Sequence, residues 1–357
     1  MDSMWETLQE FVVDYCDYLP DSIPELDKFP TPNEFLNNYV LTNLPFVVRC
    51  DESQHFPAVL LWKDPKYMRK KMAERKVTVA VTPDGRADSI VDDLFMIPEE
   101  RTMLFDKFYD ELHMRDINQV YYLQKQNNNL IEEFSPLVDD VASHIPWVTE
   151  AFSERPDAAN IWMGDKRSVT SIHKDHYENI YCVITGQKKF YLYPPVSVAW
   201  MPYQKFKKFQ WYYEGVHGRE GKWHMKDLNE EVKWILPSHQ PQTRNQFKML
   251  LNTKSYVVDV CPGDVLYLPA MWFHEVHQTD KCIAVNYWYD MKFDMKYPFL
   301  KLLDKLCRLR TPRRDASVDK QIELEDSLLS DLHEKQKKLI KEELKLNRKF
   351  GGRVPKQ

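Results

Sequence analysis

The chain has 357 residues, enough to bury a sizeable core in one large domain or two small ones. It contains 18 Phe, 19 Tyr and 10 Trp but only 9 Gly, which is typical of a well-packed globular protein rather than a disordered or repetitive one. The net charge of -5 provides no bulk attraction to nucleic acid, so we expect no direct nucleic-acid binding. No apolar run approaches the length of about 18 residues that a membrane span needs, so we expect no membrane association.

The cysteines and the N-terminal segment bear on the cellular compartment. The acidic, aromatic stretch "MDSMWETLQEFVVDYCDYLP" has the character of neither a signal peptide nor a transit peptide. The six cysteines lie far apart without the close spacing of zinc sites, which favours free thiols in a reducing environment; they are Cys16, Cys50, Cys182, Cys261, Cys282 and Cys307. We therefore expect a cytoplasmic protein, with the nucleus as a second compartment.

Residues 1–120 are predicted to form an N-terminal region of helices and strands that packs on the core. Apolar residues recur at helical spacing from Trp5 onward. In "TPNEFLNNYV", Thr31 is a candidate N-cap, Pro32 occupies the first helical position and Glu34 completes a capping box. Short strands follow in "LPFVVRC" and "KVTVAVT", and the second of these ends at a Pro-Asp-Gly turn.

Residues 121–295 are predicted to form the core, in which short β segments dominate from about residue 161 to 290. A strand in "VYYLQKQ", residues 120–126, precedes them. Short strands separated by turn residues are typical of a sandwich or barrel. Residues from about 196 to 255 form a long insertion, rich in Tyr, Trp, Lys and Pro, that we predict to be irregular. Loops of this length within a compact domain are usually lids or binding loops.

Residues 296–357 are predicted to be helical and to end in a basic tail. Ser317 is a candidate cap for a run in which apolar residues repeat at helical spacing, and Gly351 and Gly352 end it. Lys and Arg crowd the last turn of this run. Two interpretations remain open: an amphipathic helix that packs on its own domain, and a helix that forms a homodimer.

A dense group of polar residues, "SIHKDHYENIY" at residues 171–181, lies in a segment that otherwise has the pattern of a strand. Residues two apart in a strand point to the same face, so His173 and Asp175 project together, with Lys174 and His176 on the opposite face. Two His and one Asp or Glu bind Fe(II) on one octahedral face and leave the opposite positions open. The pair is two thirds of such a set and needs a second histidine from another strand.

The segment "CPGDVLYLPAMWFHEVHQ" supplies that histidine. Its G-x5-P-x4-H spacing, formed by Gly263, Pro269 and His274, resembles the second metal motif of cupin proteins, although many cupins carry a glycine where Met271 stands. An H-x-D motif alone is a weak signal, but its combination with this second motif is strong. We therefore expect a mainly β fold with a double-stranded β-helix (cupin or jelly-roll) core and flanking N-terminal and C-terminal helices.

The motif segments also indicate a family. "TSIHKDHYENIYCVITGQKKFYLYPP", "LPAMWFHEV" and "AVNYWYD" resemble the Jumonji-C family of Fe(II)- and 2-oxoglutarate-dependent oxygenases, and within it the branch of small hydroxylases. The resemblance runs from "KFPTPNEF" to "DMKYPFL", which is most of the chain. It implies that His173, Asp175 and His274 are the iron ligands, and that the cofactors are Fe(II), 2-oxoglutarate as cosubstrate, and O2.

The same resemblance implies which residues bind 2-oxoglutarate: Tyr122, Thr170, Asn179, Lys188 and Asn286. Lys188 would pair with the distal carboxylate, because a buried carboxylate needs a cationic partner and hydrogen-bond donors. The two hydroxyl residues would bond the same carboxylate, and the two amides would lie near the iron-bound end of the cosubstrate. Strand parity leaves open whether Lys188 or Lys189 points inward.

The resemblance further implies a protein hydroxylase that forms (3S)-hydroxylysine in a translation-associated GTPase of the developmentally regulated GTP-binding class, with succinate and CO2 as co-products. Three other functions remain open: a histone demethylase, a metal-dependent endopeptidase acting on histone tails, and a binding module without catalysis. A lysine substrate would favour an acidic residue in the pocket, for which Glu178, Asp290 and Asp294 are candidates.

Overall fold

The computed structural model describes residues 2–49, 56–114, 118–215, 221–236 and 253–308. The chain divides into one compact unit of residues 1–304 and a second unit of residues 305–357. Nearly all of the second unit lies outside the described residues, and so do the predicted basic tail and dimerisation helix. The three-part division at residues 120 and 295 stays a prediction.

Helices lie mainly before the core strands in the chain. Within the described ranges they are α1 (Asp2–Asp17), α2 (Pro32–Phe35), α3 (Ala58–Leu61), α4 (Pro65–Met72), α5 (Phe105–His113), α6 (Asn129–Glu132), α7 (Val138–Val141), α8 (Pro146–Phe152) and α9 (Lys296–Arg308). A π-helical turn, Leu36–Val40, continues α2. Of these helices, none combines the length and the apolar character that crossing a bilayer requires.

The strands divide into an N-terminal group and a core group. The N-terminal group is β1 (Glu25–Leu26), β2 (Phe46–Val48), β3 (Lys76–Thr82), β4 (Arg86–Ala87), β5 (Ser89–Val91), β6 (Leu94–Ile97), β7 (Glu99–Leu104) and β8 (Val120–Tyr122). The core group is β9 (Ala158–Gly164), β10 (Val169–Lys174), β11 (Tyr177–Thr185), β12 (Lys188–Tyr193), β13 (Tyr203–Glu214), β14 (Lys222–Ile235), β15 (Tyr256–Val260), β16 (Val265–Leu268), β17 (Phe273–Gln278) and β18 (Cys282–Asp290).

The two largest sheets form the core. The larger has the strand order β1-β2-β16-β11-β18-β9, and the smaller has the order β15-β12-β17-β10-β4. From β9 to β12, and again from β15 to β18, consecutive strands alternate between these two sheets. This alternation is the winding of a double-stranded β-helix, so the predicted fold, mainly β with flanking helices, is confirmed.

Apolar side chains cover both faces of the larger sheet. On its outer face, Phe35 of α2 packs edge-on against Tyr267 of β16 and Trp147 of α8, with ring centroids 4.8 Å and 4.9 Å apart. On its inner face, Tyr181 packs edge-on against Phe190 of the smaller sheet at 5.0 Å. Full burial of such a side chain stabilises the fold by roughly 1.5–3 kcal/mol. The larger sheet therefore forms a rigid wall for the space between the sheets.

The helix start at α2 agrees in detail with the predicted capping box. The Glu34 backbone N–H donates to Thr31 Oγ1 at 3.3 Å, and the Thr31 backbone N–H donates to Glu34 Oε2 at 2.8 Å. Pro32 occupies the first turn, where a missing N–H leaves no bond unmade. All of these interactions lie within four consecutive residues, which is why sequence alone predicts them.

The predicted irregular insertion is wrong where the structure describes it. Residues 203–235 contain a long hairpin of β13 and β14, in which Phe206 pairs with Val232. β13 continues the pairing in parallel with β6, and the four-stranded sheet has the order β14-β13-β6-β5. Phe206 and Phe95 belong to one small hydrophobic core beneath this sheet. β13 pairs along its length with its chain neighbour β14, and the distant β6 adds three residue pairs at Lys208–Gln210; a composition rich in Tyr, Trp, Lys and Pro reveals neither pairing. Residues 237–252 lie outside the described ranges.

The predicted strand at residues 120–126 is shorter than expected. β8 ends at Tyr122, and Leu123 adds only an isolated bridge to Met163. The chain then turns through an Asn-rich stretch, where Asn128 takes a left-handed backbone conformation with φ of 61°. Asn adopts this conformation more readily than most residues, so it suits the turn that leads into α6.

The outer face of the larger sheet also buries a carboxyl group, that of Glu178 on β11. This side chain is 3 % exposed. Its Oε2 accepts hydrogen bonds from Tyr267 Oη at 2.7 Å and from the Ala270 backbone N–H at 3.2 Å. Burial raises the pKa of Glu178, and the two hydrogen bonds oppose that rise only in part. The group is therefore held in place by bonds but is costly to ionise.

Replacing Thr31 by Ala is expected to lower the free energy of unfolding by about 1 kcal/mol, because the first turn of α2 loses its side-chain cap. Urea unfolding followed by circular dichroism measures the change. Thr31→Ser keeps the hydroxyl and serves as the control, with stability close to that of the wild type. A Thr31→Ala variant as stable as Thr31→Ser would contradict the capping role.

We expect the Glu178→Gln variant to gain stability relative to the wild type as pH rises. The quantity compared is the free energy of unfolding of the two proteins. Above about 4.3, the pKa of an exposed Glu, the unfolded wild-type chain releases a proton that the folded protein retains, so the wild type loses stability as pH rises towards the raised folded-state pKa. The variant lacks this titration. Urea unfolding at about pH 5 and about pH 8 should show that the variant gains stability over the wild type at the higher pH. A difference between the two proteins that is independent of pH would refute the raised pKa of Glu178.

Candidate metal centre and adjoining cleft

The strands β10 and β17 pair antiparallel and bring two histidines together. His173 and His274 lie directly opposite each other in this pair, while Thr170 lies opposite Val276. β10 therefore advances three residues where β17 advances two, and the extra residue forms a bulge. Because opposite residues share a face, the bulge places both Thr170 and His173 on the inner face. In a regular strand, residues three apart would point to opposite faces.

Asp175 follows the end of β10 and is tied to the turn that precedes β17. The Met271 backbone N–H donates to the Asp175 carbonyl O at 2.8 Å. Met271 has a φ of 70°, in the left-handed region that glycine adopts without strain. The position at which many cupins carry a glycine thus has, in this chain, a methionine held in a glycine-like conformation.

The three side chains of the two motifs converge on one point. One nitrogen or oxygen atom from each of His173, Asp175 and His274 lies within 4.8 Å of the others. Asp175 Oδ2 is 3.6 Å from His173 Nε2 and 3.7 Å from His274 Nε2. Each imidazole directs its Nδ1 to a backbone carbonyl, 2.8 Å away at Ser171 and 3.0 Å away at Trp272. These carbonyls take the N–H of each ring, so both Nε2 lone pairs face the centre, and the donor set fits a divalent transition metal.

The electrostatics of this cluster favour the metal-binding protonation states of Asp175 and His274. Burial alone would raise the pKa of Asp175, but the two histidines of the cluster outweigh it and lower the pKa to about 2. Burial, followed by the charge of His173, lowers the pKa of His274 to about 4. For His173, burial lowers the pKa, and the attraction of Asp175 reverses the net direction to upward. A carboxylate anion and a neutral imidazole are the forms that ligate metal ions.

The two polar neighbours of the cluster lie in different environments. The His176 ring packs against Tyr297 with centroids 5.9 Å apart, and burial lowers its pKa to about 4. Lys174 Nζ lies 5.6 Å from the centre of the Phe273 ring and borders the cleft described below. Lys174 pairs with Phe273, next to the His173–His274 pair, so its side chain lies on the face of β10 opposite His173, as the alternation of the strand predicts.

Lys188 begins β12 and points into the space between the sheets. It is 2 % exposed and lies opposite Gln278 at the end of β17. Its Nζ donates to Tyr122 Oη at 3.2 Å. Within the described residues, Lys188 forms no ion pair. Lys189 is instead on the outer face, with its Nζ 3.3 Å from Asp259 Oδ1. Of the two neighbouring lysines, Lys188 is therefore the one that points inward. It is a buried cation whose position fits an anionic ligand.

A chain of hydrogen bonds crosses the interior beside the cluster. Trp162 Nε1 donates to Asn286 Oδ1 at 2.8 Å, and Asn286 Nδ2 donates to Asn179 Oδ1 at 3.1 Å. Both amides are nearly fully buried, at 1 % and 5 % exposed. The structure therefore brings Asn179 and Asn286 together. It adds Trp162, which the motifs did not single out because indole rings are common in strand cores.

Two further polar residues near Lys188 were not predicted from the sequence as part of the site. Among the described residues, Ser168 Oγ and Gln278 Oε1 are buried without a hydrogen-bond partner. A Cβ added to Gly164 would lie 2.7 Å from Ser168 Oγ and 2.8 Å from Gln278 Nε2, so these groups crowd one small space. Gln278 could have been found by counting in twos along β17 from His274. Unsatisfied buried polar atoms beside a buried cation fit a polar, anionic ligand.

A cleft of about 810 Å³ opens on the metal cluster. Residues 170–175 of β10 and its end form one wall, and the β13–β14 hairpin with β6 forms the other. His173 and Asp175 are 19 % and 25 % exposed, whereas His274 is 6 % exposed and lies behind them. The hairpin found in place of the predicted irregular loop thus contributes a wall of the cleft; the binding role of the insertion stays a prediction.

The acids proposed from sequence for a lysine pocket lie elsewhere. Glu178 is buried on the outer face of the larger sheet, and Asp290 and Asp294 are exposed outside the cleft. Apart from the cluster itself, the acids that line the cleft are Asp88 and Glu100. Both come from the N-terminal strand region, where no sequence motif indicates a contribution to the site.

Comparison with known proteins shows which family this chain belongs to. Residues 32–295 match the family described as the cupin-like domain. The chain is 40% identical over 293 residues to the human protein named bifunctional peptidase and (3S)-lysyl hydroxylase JMJD7, covering 81% of this chain and 91% of that protein. It is 34% identical over 324 residues to lysine-specific demethylase JMJ32 of Arabidopsis thaliana, with coverages of 86% and 91%. It is 29% identical over 337 residues to JmjC domain-containing protein E of Dictyostelium discoideum, with coverages of 82% and 94%.

The matched region contains every residue of the His-Asp-His cluster and of the interior described above. Jumonji-C proteins are oxygenases that depend on Fe(II) and 2-oxoglutarate, and the donor types of the cluster agree with that chemistry. On the extent of these matches, the chain belongs to the Jumonji-C family of cupin-like proteins.

Proposed function

We propose that this protein is an Fe(II)- and 2-oxoglutarate-dependent protein hydroxylase that oxidises C3 of a lysine side chain in a partner protein. The observation that carries the proposal is the convergence of two imidazole nitrogens and one carboxylate oxygen at the wall of an open cleft. Such a donor set occupies one face of the metal and leaves positions for cosubstrate and O2. The name of the human relative, which includes (3S)-lysyl hydroxylase, supports the choice of lysine.

His173, Asp175 and His274 would hold the iron. When bound, the iron and 2-oxoglutarate supply the chemistry that inserts an oxygen atom from O2 into a C–H bond, with succinate and CO2 as co-products. The chain contributes orientation and charge. The carbonyls of Ser171 and Trp272 fix the two imidazole rings through Nδ1, and Asp175 stays ionised. The geometry of the ligands is therefore set before any metal arrives.

The interior beyond the cluster would hold 2-oxoglutarate. Lys188 would pair with the distal carboxylate, and the hydroxyls of Tyr122 and Thr170 would donate hydrogen bonds to it. Asn179 and Asn286 would lie near the iron-bound end. Support comes from the burial of Lys188 at 2 % exposed, because a buried ammonium gains most from a buried anion. Tyr122 Oη already lies 3.2 Å from its Nζ.

The partner and compartment are part of the same proposal. The substrate would be a translation-associated GTPase of the developmentally regulated GTP-binding class, and the place of action would be the cytoplasm, with the nucleus as a second compartment. Cysteines without a disulfide partner in the described ranges agree with a reducing environment. A homodimer formed through the predicted C-terminal helices is part of the proposal; the segment that begins near Ser317 falls outside the described residues.

Replacing His173 by Ala is expected to abolish Mn(II) binding measured by calorimetry, since the cluster loses one of three ligands. It should also abolish the product detected when the purified GTPase is incubated with the enzyme, Fe(II), 2-oxoglutarate and O2. In wild type, mass spectrometry should show a lysine that gains one oxygen atom. Loss of a methyl group would instead favour a demethylase, and a shortened chain would favour a peptidase.

His176→Ala is the matched control for this experiment. His176 is three residues from His173 and lies outside the cluster, so both metal binding and product should persist. Equal losses in the two variants would refute the ligand assignment. Absence of succinate formation by the wild-type protein would refute the oxygenase function itself.

Replacing Lys188 by Met is expected to raise the KM for 2-oxoglutarate roughly a hundredfold, because a buried charge pair loses one member. Met keeps the length and the apolar stem, so the core should fold. Lys189→Met is the control, since Lys189 forms only a solvent-exposed ion pair with Asp259 and its removal should change KM little. Succinate release at varied 2-oxoglutarate concentrations measures both. Similar KM values for the two variants would overturn the cosubstrate assignment.

A further inference from the structure

Several charged side chains line the cleft, and most of them already have a partner. Lys125 Nζ lies 3.0 Å from Glu100 Oε2. Lys208 Nζ lies 2.7 Å from Glu230 Oε2. These pairs neutralise the rim of the cleft. Asp88 lines the same cleft and differs from them.

Asp88 presents a half-buried carboxylate without a cation. Within the described ranges, Asp88 forms no ion pair. Its carboxylate accepts only one long hydrogen bond, of 3.5 Å, from Gln124 Nε2. Burial, the largest influence, raises the pKa of Asp88. His173 and Lys208 act in the opposite direction, and Glu100 adds to the rise. A cation placed beside this carboxylate would relieve the cost of its burial.

The backbone fixes Asp88 beside the metal cluster. Ala87 of β4 pairs with Thr170 of β10 in parallel register. Ser171 Oγ, two residues before His173, donates to the Asp88 carbonyl O at 2.6 Å. Asp88 has a φ of 52°, a conformation that Asp and Asn tolerate better than most residues. The next residue begins β5 in a different sheet, so Asp88 lies at the corner where the smaller core sheet and the hairpin sheet separate.

The rest of the cleft suits a side chain that is apolar along its length. Phe95, Ile97, Val232 and Trp234 line it on the side of the hairpin sheet. A lysine side chain has an apolar stem of four methylene groups that packs on such surfaces while its charge reaches a polar group. The cleft thus offers both an apolar wall and an uncompensated acid.

We propose that Asp88 receives the ammonium group of the substrate lysine and so selects a cationic side chain for the metal centre. This inference rests on the proposed hydroxylase function and deepens it, because it names the residue that determines the substrate class. The three acids chosen from the sequence do not line the cleft and cannot take this role. Asp88 is a specificity-determining residue: it binds the end of the side chain, not the carbon that reacts.

The test compares binding of two fluorescent peptide pools that are identical except for a central Lys in one and norleucine in the other. Full-length protein loaded with Mn(II) and 2-oxoglutarate is titrated into each pool without oxygen, and fluorescence anisotropy gives the two dissociation constants. Wild type is expected to bind the lysine pool roughly tenfold more tightly than the norleucine pool, and Asp88→Asn should remove most of that preference. Asp88→Glu keeps the charge and should keep the preference.

Asp92→Asn is the matched control. Asp92 has a similar backbone conformation, with a φ of 48°, but is exposed and does not line the cleft. Its substitution should leave the ratio of the two dissociation constants unchanged. Hydroxylation of the lysine pool in the presence of Fe(II) and O2 provides a second readout, in which Asp88→Asn should raise KM more than it lowers kcat.

The outcomes separate this inference from the proposed function. An unchanged lysine preference in Asp88→Asn, or an equal loss of affinity for both pools, would overturn the role of Asp88. A wild-type protein that forms succinate but shows no preference for the lysine pool would overturn it as well, with the oxygenase function intact. A wild-type protein that forms no succinate at all would overturn both proposals.

Discussion

The register of β10 against β17 is the constraint on which the metal cluster depends. His173 and His274 lie opposite each other, with ring centroids 4.2 Å apart. A slip of one residue would turn one imidazole to the other face of the sheet. Two interactions prevent such a slip. On the other edge of β17, β12 pairs with it so that Leu192 lies opposite His274, and the Met271 N–H donates to the Asp175 carbonyl O. The cluster is therefore positioned by backbone pairing on both edges of one strand.

Buried polar groups on the outer face of the larger sheet and in the interior between the two sheets are satisfied differently. On the outer face, Glu178 has two donors from the protein itself. In the interior, Lys188 has only a tyrosine hydroxyl, and Ser168 and Gln278 each retain a buried atom without a partner among the described residues. Native proteins rarely leave such atoms unpaired. The outer carboxyl group is thus satisfied by the protein itself, whereas the interior polar groups fit a bound ligand.

Local chemistry made much of this protein predictable. The capping box at Thr31 and Glu34 involves neighbours in the chain, so its pattern needs no knowledge of the fold. The alternation of apolar residues predicted the core strands, and spacing within two short segments selected His173, Asp175 and His274. Assignment of the cosubstrate residues came from family resemblance. The error at residues 203–235 has a partly non-local origin: β13 pairs mainly with its chain neighbour β14, and three residue pairs with β6, a strand more than a hundred residues earlier, join the hairpin to its sheet.

By itself, the sequence determined the β-rich fold class, the candidate ligand types and the family, because each is written in residues that are close together or in motifs of fixed spacing. The tertiary structure alone decided which groups meet. The bulge that turns Thr170 to the inner face, the inward direction of Lys188 and the position of Asp88 at the cleft all follow from strand register and from contacts between sheets. Register is an energetic outcome of the whole core, since each strand is selected by the burial of its neighbours as well as its own side chains.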